Sequence, residues 1–331
     1  MTQARIAFLF PGQASQYVGM GRDLHDRYPQ VRSLYQQARE ITGADIAGVS
    51  FDGPAETLKQ TNYTQLAILV HSVAVASMLK AHGIEPDFVA GHSLGEYSAL
   101  VAAGALDFEE SLRLVRLRSA LMHEAGQRRR GTMAAVIGLS PREIDEVCRA
   151  ACADDEPVQP ANYNAPVQTV IAGAVPAVER AMDGARAAGA KRVVPLKVSG
   201  AFHSDLMEYA RHGLSEAIEK APFSRVETPV VANVTARAVT EPDEIRRLLI
   251  EQLTRPVRWA ESMQTLADHG VDTVVEAGPG NVLTGLMKRM HRGIAVLNAD
   301  KLADVTAVAE SIGRSVAESI GRPVAVRLEP R

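Results

Sequence analysis

The chain has 331 residues, of which 46% are apolar, 23% charged and 5% aromatic, the proportions of a folded globular protein, which excludes disordered and collagen-like classes. At this length one large domain with a smaller insertion, or two domains, can bury a full core without metal or disulfide staples. A formal net charge of -3 offers no overall basic field to a nucleic-acid backbone, and there is no zinc-finger spacing or basic-aromatic run.

Ile6 to Phe10 is a short apolar run stopped at once by Pro11 and Gly12, which predicts a buried strand and not a signal peptide. Ala67 to Leu79 carries His71 and has the length of a core helix. No uninterrupted apolar stretch approaches the roughly 18 residues that span a bilayer, so membrane insertion is not expected. Phe88 to Gly91 and Thr273 to Gly278 are further apolar runs that end in glycine and lead into helical patterns. Strand, tight loop and helix in that order predict a parallel α/β sheet covered on both faces. Ser111 to Ala125 has the periodicity of a helix.

From Met133 to Val198 short strands outnumber helices. The pattern predicts strands at Met133 to Ile137, Pro160 to Tyr163, Thr169 to Ala172 and Arg192 to Val198, with helices at Pro141 to Cys152 and Ala177 to Ala188. That βαββαβ order is a ferredoxin-like unit, inserted into the larger domain. Cys148 and Cys152, four apart in a predicted helix, suit neither a disulfide framework nor a zinc cluster and point to a reducing, cytoplasmic setting. The run VAESIGR occurs at Val308 to Arg314 and again at Val316 to Arg322. Two copies do not make a solenoid and read as a duplicated stretch of exposed C-terminal helix or tail.

Gly91, His92, Ser93, Leu94 and Gly95 form a G-x-S-x-G motif, entered by an apolar strand and left by the helical run Glu96 to Ala103. This is the nucleophile elbow, whose sharp turn exposes the serine hydroxyl and aims nearby N–H groups at the reacting oxygen. The fold class expected is therefore α/β, an α/β-hydrolase-like catalytic domain over residues 1–131 and 199–298. A ferredoxin-like small domain occupies 132–198, and 299–331 form a tail.

A serine needs a base, and histidine has the suitable pKa. Of nine histidines, His92 adjoins the serine and should pack beneath the elbow, while His71 faces an apolar helix. His25, His82, His123, His212, His269 and His291 lie among polar residues. His203 follows a predicted strand where the chain should re-enter the large domain, and a domain junction favours a cleft. On the helix Ser111 to Ala125, residues at 100° intervals place Leu114, Val115, Leu121, Met122 and Ala125 on one face, with Arg118 in its middle. Arg113, Arg116 and His123 fall on the polar side. A buried guanidinium is costly alone, so Arg118 either pairs with an acidic residue, snorkels to water, or receives an anion such as a carboxylate.

The sequence resembles the malonyl-CoA:acyl-carrier-protein transacylases and the related acyltransferases of polyketide synthases. The matching stretches are FPGQASQ at 10–16, TQLA at 64–67, GHSLGEYSAL at 91–100, LVRLRSALM at 114–122, ANYNAPVQTVIAG at 161–173, SGAFHS at 199–204, RPVRW at 255–259 and EAGPGNVLTGL at 276–286. Together they cover Ile6 to Asn298, in order, and are far more specific than any single motif. Leu66 departs from the proline usual after the TQ pair, and Gln127 to Arg130 is unusually basic.

The resemblance implies Ser93 as nucleophile, His203 as general base and Arg118 as the clamp for a substrate carboxylate. It further implies an oxyanion hole from the backbone N–H groups of Gln13 and Leu94, and a main-chain carbonyl of Gln252 that orients the histidine. Phe202 matches a position occupied by phenylalanine in malonyl-specific members, where it would fill the space of an α-methyl group. The implied reaction moves malonyl from coenzyme A to the phosphopantetheine thiol of an acyl carrier protein, in fatty-acid or polyketide synthesis, with no bound cofactor or metal. SGAFHS is somewhat more similar to free-standing polyketide enzymes. Rival readings are a proofreading acyl hydrolase, a transferase for a larger carboxylated group such as methylmalonyl, and a non-catalytic docking module. A monomer is expected, with basic candidates for steering an acidic carrier at Arg113 with Arg116, Arg128 to Arg130, Lys191 with Arg192, and Lys288 with Arg289.

Overall fold

A computed structural model describes residues 5–312. In chain order the described strands are β1 Ile6–Phe10, β2 Phe88–Gly91, β3 Gly131–Ile137, β4 Val158–Ala165, β5 Gln168–Ala174, β6 Arg192–Pro195, β7 Val230–Val231, β8 Ala238–Val239, β9 Thr273–Ala277 and β10 Ala295–Ala299. The protein is mixed α/β, with two compact units. One comprises residues up to 113, 226–230 and from 266 onward; the other comprises Leu114–Arg225 and Val231–Thr265.

In the first unit β10, β9, β1 and β2 lie side by side in that order, all parallel. Every residue of β1 and β2 is buried, as continuous apolar runs in a sheet covered on both faces must be. The register runs from Ala7 opposite Phe88 to Phe10 opposite Gly91. β1 and β2 therefore end level, and the segments bearing Gln13 and Ser93 leave from the same carboxyl edge, where open α/β sheets place their ligands.

β9 brings Glu276 to that edge opposite Leu9. Its carboxyl group is fully buried and accepts the N–H of Leu283 at 3.0 Å and of Thr284 at 2.7 Å. These are first-turn donors of the helix Val282–Met290, which have no partner within the helix. Burial raises the pKa of Glu276 above its ordinary value, against the pull of the two N–H groups.

The helix Thr61–Ala81 is longer than the expected Ala67 to Leu79. It is the one described helix whose length and composition would suffice to cross a membrane, but 83% of its apolar window is buried inside the protein. A helix that is apolar all round and packed in this way is a core helix. It carries His71, wholly buried as its apolar surroundings predict.

The Nε2 of His71 lies 2.8 Å from the Asp300 carboxylate, which also accepts the Tyr17 hydroxyl at 3.0 Å and the Gly280 N–H at 3.1 Å. Asp300 thus ties the chain after β10 to the core helix. The following helix, Leu302–Ser311, buries Val305, Val308 and Ala309. The expected tail from residue 299 is therefore structured through Ser311, because this buried carboxylate and apolar stripe anchor it. The first VAESIGR copy begins in that helix, and the second lies outside the described residues.

In the second unit β3 to β6 form an antiparallel sheet in the order β4-β5-β3-β6. The helix Pro141–Ala151 lies between β3 and β4, and Val175–Ala187 between β5 and β6. Ser140 opens the first of these with a capping box to Glu143. Ile144, Cys148, Ala177, Val178, Ala181 and Ala185 pack with Ala134, Val136 and Ile171 of the sheet. Both cysteines are free thiols.

β6 ends at Pro195, earlier than the expected Val198. The compact unit also reaches well beyond 132–198. Gly131 packs against Ala201 and Leu206, and Gly126 against the Ser199 carbonyl, so residues after β6 stay with this sheet. The described strands β7, β8 and β10 carry no sequence signal strong enough to have been expected. Two of them are only two residues long, and β10 is mostly half-buried.

Burial, and then the Asp300 carboxylate, raise the pKa of the Tyr17 phenol above its ordinary value. The phenol therefore stays a donor. Above the ordinary tyrosine pKa of about 10 the folded state binds more protons than the unfolded one, so this contribution to stability is present below that pH and lost above it. Urea unfolding at about pH 9 and about pH 11 should show a smaller alkaline loss in Tyr17→Phe than in the wild type. Equal losses would contradict the assignment.

Candidate active site

In the first unit β2 runs into a turn of His92, Ser93 and Leu94 before the helix Gly95–Ala103. Ser93 has φ +53°, a left-handed conformation that a non-glycine residue keeps only when its surroundings hold it. Those constraints are visible. The His92 N–H donates to the Phe10 carbonyl at 2.9 Å, the Gly95 N–H to His92 at 3.0 Å and the Glu96 N–H to Ser93 at 3.1 Å.

The flanking glycines are required by close approach. A Cβ on Gly91 would overlap the backbone of Gly95, and a Cβ on Gly95 would overlap the Phe10 carbonyl. The turn can therefore lie against the end of β1 only if both positions lack a side chain. Gly12 is pressed on the His92 carbonyl in the same way, so the segment after β1 packs directly on the backbone of the turn.

Gln13 follows β1, and its neighbour Ala14 has φ +79°. The side-chain oxygen of Gln13 accepts the amide of Gln65 at 3.0 Å. Ser15 donates to the Gly12 carbonyl at 2.7 Å, and the Gln16 side chain accepts the Ala14 N–H at 2.8 Å. Gln65, fully buried on the core helix, was not singled out from sequence. Its signal was a polar side chain near the start of a helix that is otherwise mostly apolar. Leu94 is fully buried.

The second unit carries Arg118, Phe202, His203 and Gln252. Arg118 stands on the helix Phe108–Arg128 among buried Leu114, Val115, Met122 and Ala125, and has no exposed surface. Its guanidinium donates to the side-chain oxygen of Gln252 at 3.3 Å. Snorkelling is thereby excluded for this arginine.

His203 is buried, has φ +58°, and its Nδ1 lies 2.8 Å from the Gln252 carbonyl. A carbonyl only accepts, so Nδ1 carries the proton in this bond, and a neutral ring keeps Nε2 as its basic nitrogen. Gln252 caps the helix Pro242–Glu251, with its own N–H bonded to Leu248. It therefore touches the histidine with its backbone and the arginine with its side chain. Phe202 is buried next to Gly200.

The structure thus brings Arg118, Gln252 and His203 together in one unit, and sets Gln13, Ser93 and Leu94 at one sheet edge in the other. Among the described residues no group of three His, Cys, Asp or Glu could hold a metal ion. Of the basic candidates, Arg113 is engaged by Glu109 and Glu110, and Arg128 by Glu124 and the ring of Tyr209. Their charge is largely answered on the spot.

Residues 7–318 match the model of the acyl transferase domain. The chain belongs to the acyl transferase domain family. Within it, the malonyl CoA-acyl carrier protein transacylase of Bacillus subtilis (strain 168) is 44% identical over 294 residues, covering 89% of this chain and 93% of the relative. The solved malonyl CoA-acyl carrier protein transacylase of Coxiella burnetii superposes with a TM-score of 0.90 at 40% identity, covering 94% and 98% of the two chains. A malonyl-transacylase solved in complex with its type II PKS acyl-carrier protein superposes at 0.89 with 41% identity, covering 93% and 100%.

The acyl transferase elbow depends on its second glycine more than on any helix propensity. Gly95→Ala should destabilise the protein by about 3 kcal/mol or more, since backbone atoms, not flexible side chains, meet the new methyl. An unchanged urea midpoint for that variant would show that the approach to Phe10 is not a constraint.

Proposed function

We propose that the protein moves a malonyl group from coenzyme A to the phosphopantetheine thiol of an acyl carrier protein through an ester on Ser93. The observation that carries this reading is Arg118, a fully buried guanidinium held on Gln252, the same residue that orients His203. A buried guanidinium fork offers bidentate recognition of a carboxylate, and malonyl thioesters have one where acetyl thioesters do not.

In the first half-reaction Nε2 of His203 takes the proton of the Ser93 hydroxyl as its oxygen attacks the thioester carbonyl. The N–H groups of Gln13 and Leu94 stabilise the oxyanion. The C–S bond breaks, coenzyme A leaves as its thiol with the proton from His203, and a malonyl ester remains. In the second half-reaction His203 takes the proton of the carrier thiol, the new C–S bond forms, and Ser93 recovers its proton. The reaction needs no resident cofactor or metal; coenzyme A enters and leaves as part of a substrate.

The family resemblance at Phe202 supports the choice of malonyl over methylmalonyl, since a phenyl ring there would fill the space of an α-methyl group. Arg118 argues against a hydrolase that clears assorted acyl chains, since such an enzyme has no use for a carboxylate clamp. An acidic carrier is steered by basic residues; Lys191 with Arg192 and Lys288 with Arg289 are candidates for this, and glutamates engage Arg113 and Arg128. In fold terms the unit that carries the elbow is read as α/β-hydrolase-like, supported by that elbow. Residues 132–198 are read as ferredoxin-like, supported by the β4-β5-β3-β6 order. The free thiols favour a cytoplasmic setting.

The test is a panel of acyl-CoAs assayed for transfer to a phosphopantetheinylated carrier protein. Arg118→Ala should lose malonyl transfer by on the order of a hundredfold while its relative acceptance of acetyl-CoA rises. Malonyl kinetics unchanged in that variant would refute the clamp.

A further inference from the structure

Gln159 lies on β4 opposite Ala172, next to Pro160 and an irregularity in the β4–β5 register. Its side-chain amide donates to the main-chain carbonyl of His203 at 3.3 Å and to that of Thr254 at 3.2 Å, while its oxygen accepts the N–H of Asp205 at 3.2 Å. One side chain therefore spans two separate segments. The first contains His203, and the second begins two residues after Gln252, the partner of the His203 ring.

β4 is a suitable frame for such a strut. Farther along it, the Val257 N–H donates to Ala161 at 2.8 Å and the Tyr163 N–H to Val257 at 2.9 Å. The strand thus grips the segment after Gln252 through its backbone, and Gln159 adds the link to His203. His203 needs that link because its φ of +58° is a conformation that persists only where neighbours over-determine it. An amide is the side chain for the task, since carbonyls of two segments and an N–H of one must be met by two donors and an acceptor at once.

We propose that Gln159 is a positioning residue for the general base. It fixes the His203 peptide and the segment carrying Gln252 in one register, so that the Nδ1 bond to Gln252 holds the ring with Nε2 presented to the serine proton. The inference rests on His203 acting as the base in the reaction above. Gln159 itself touches neither substrate nor the reacting atoms.

The experiment is rapid-quench acylation by malonyl-CoA, read by intact mass, on the wild type and on Gln159→Leu and Gln159→Glu. The glutamate variant keeps an acceptor for Asp205 but turns a carboxylate toward two carbonyls. In both variants the rate constant per esterifiable Ser93 should fall about tenfold or more, in acylation and in transfer to the carrier alike. The KM for malonyl-CoA should stay within about twofold and the preference for malonyl over acetyl should persist, because Arg118 is untouched. A residue that only supports the fold would lower the fraction of Ser93 that reacts and leave the rate constant of the remainder alone. Rate constants within about twofold of wild type in both variants would overturn the proposal. A wild type that forms no ester would overturn the functional reading and this inference with it.

Discussion

The carboxyl end of β1 and the turn after β2 meet with no side chain between them, and the reactive edge of the first unit depends on that approach. Ser93 pays a conformational cost of about 1–3 kcal/mol for its left-handed backbone. The bond from His92 to the Phe10 carbonyl and the first bonds of the helix Gly95–Ala103 offset it. The same level ending of β1 and β2 sends Gln13 out beside the elbow. Gln13 is then held by a fully buried glutamine on the core helix. Parallel pairing in this register thus places both the turn that carries Ser93 and the segment that carries Gln13 at one sheet edge.

A different economy rules the second unit, where the costly object is a buried charge. Arg118 has no exposed surface, and its guanidinium donates to the side chain of Gln252. Spending that residue's carbonyl on His203 makes a helix terminus serve two ends. It holds the His203 ring through the backbone and restrains the Arg118 guanidinium through the side chain. A variant at this position would couple the two, whereas Gln159 reaches the histidine without reaching the arginine.

Much of this was legible before the structure. Strands β1 and β2 fall on the residues expected, and the βαββαβ order from β3 to β6 appears with shifts of only a few residues, because glycine and proline punctuation and apolar runs are local signals. Arg118 was visible as one charge in an apolar stripe, and Ser93 as a motif with the correct flanks. His203 and Gln252 were another matter. Geometry from spacing left the histidine only a candidate, and Gln252 came solely from resemblance, since a main-chain carbonyl carries no side-chain signature. Gln65, Gln159 and Asp300 escaped for a related reason. Each is a polar residue whose meaning lies in partners far along the chain, as Asp300 with His71 and Tyr17 shows.

The function turns on whether a carboxylated acyl group passes through an ester on Ser93. Its most direct measurement is peptide mapping by tandem mass spectrometry of the protein mixed with malonyl-CoA and quenched in acid, before and after addition of a phosphopantetheinylated carrier protein. A malonyl ester should form only on the peptide containing Ser93 and disappear as malonyl appears on the carrier. No ester on Ser93, or an ester that water removes as fast as the carrier does, would contradict it.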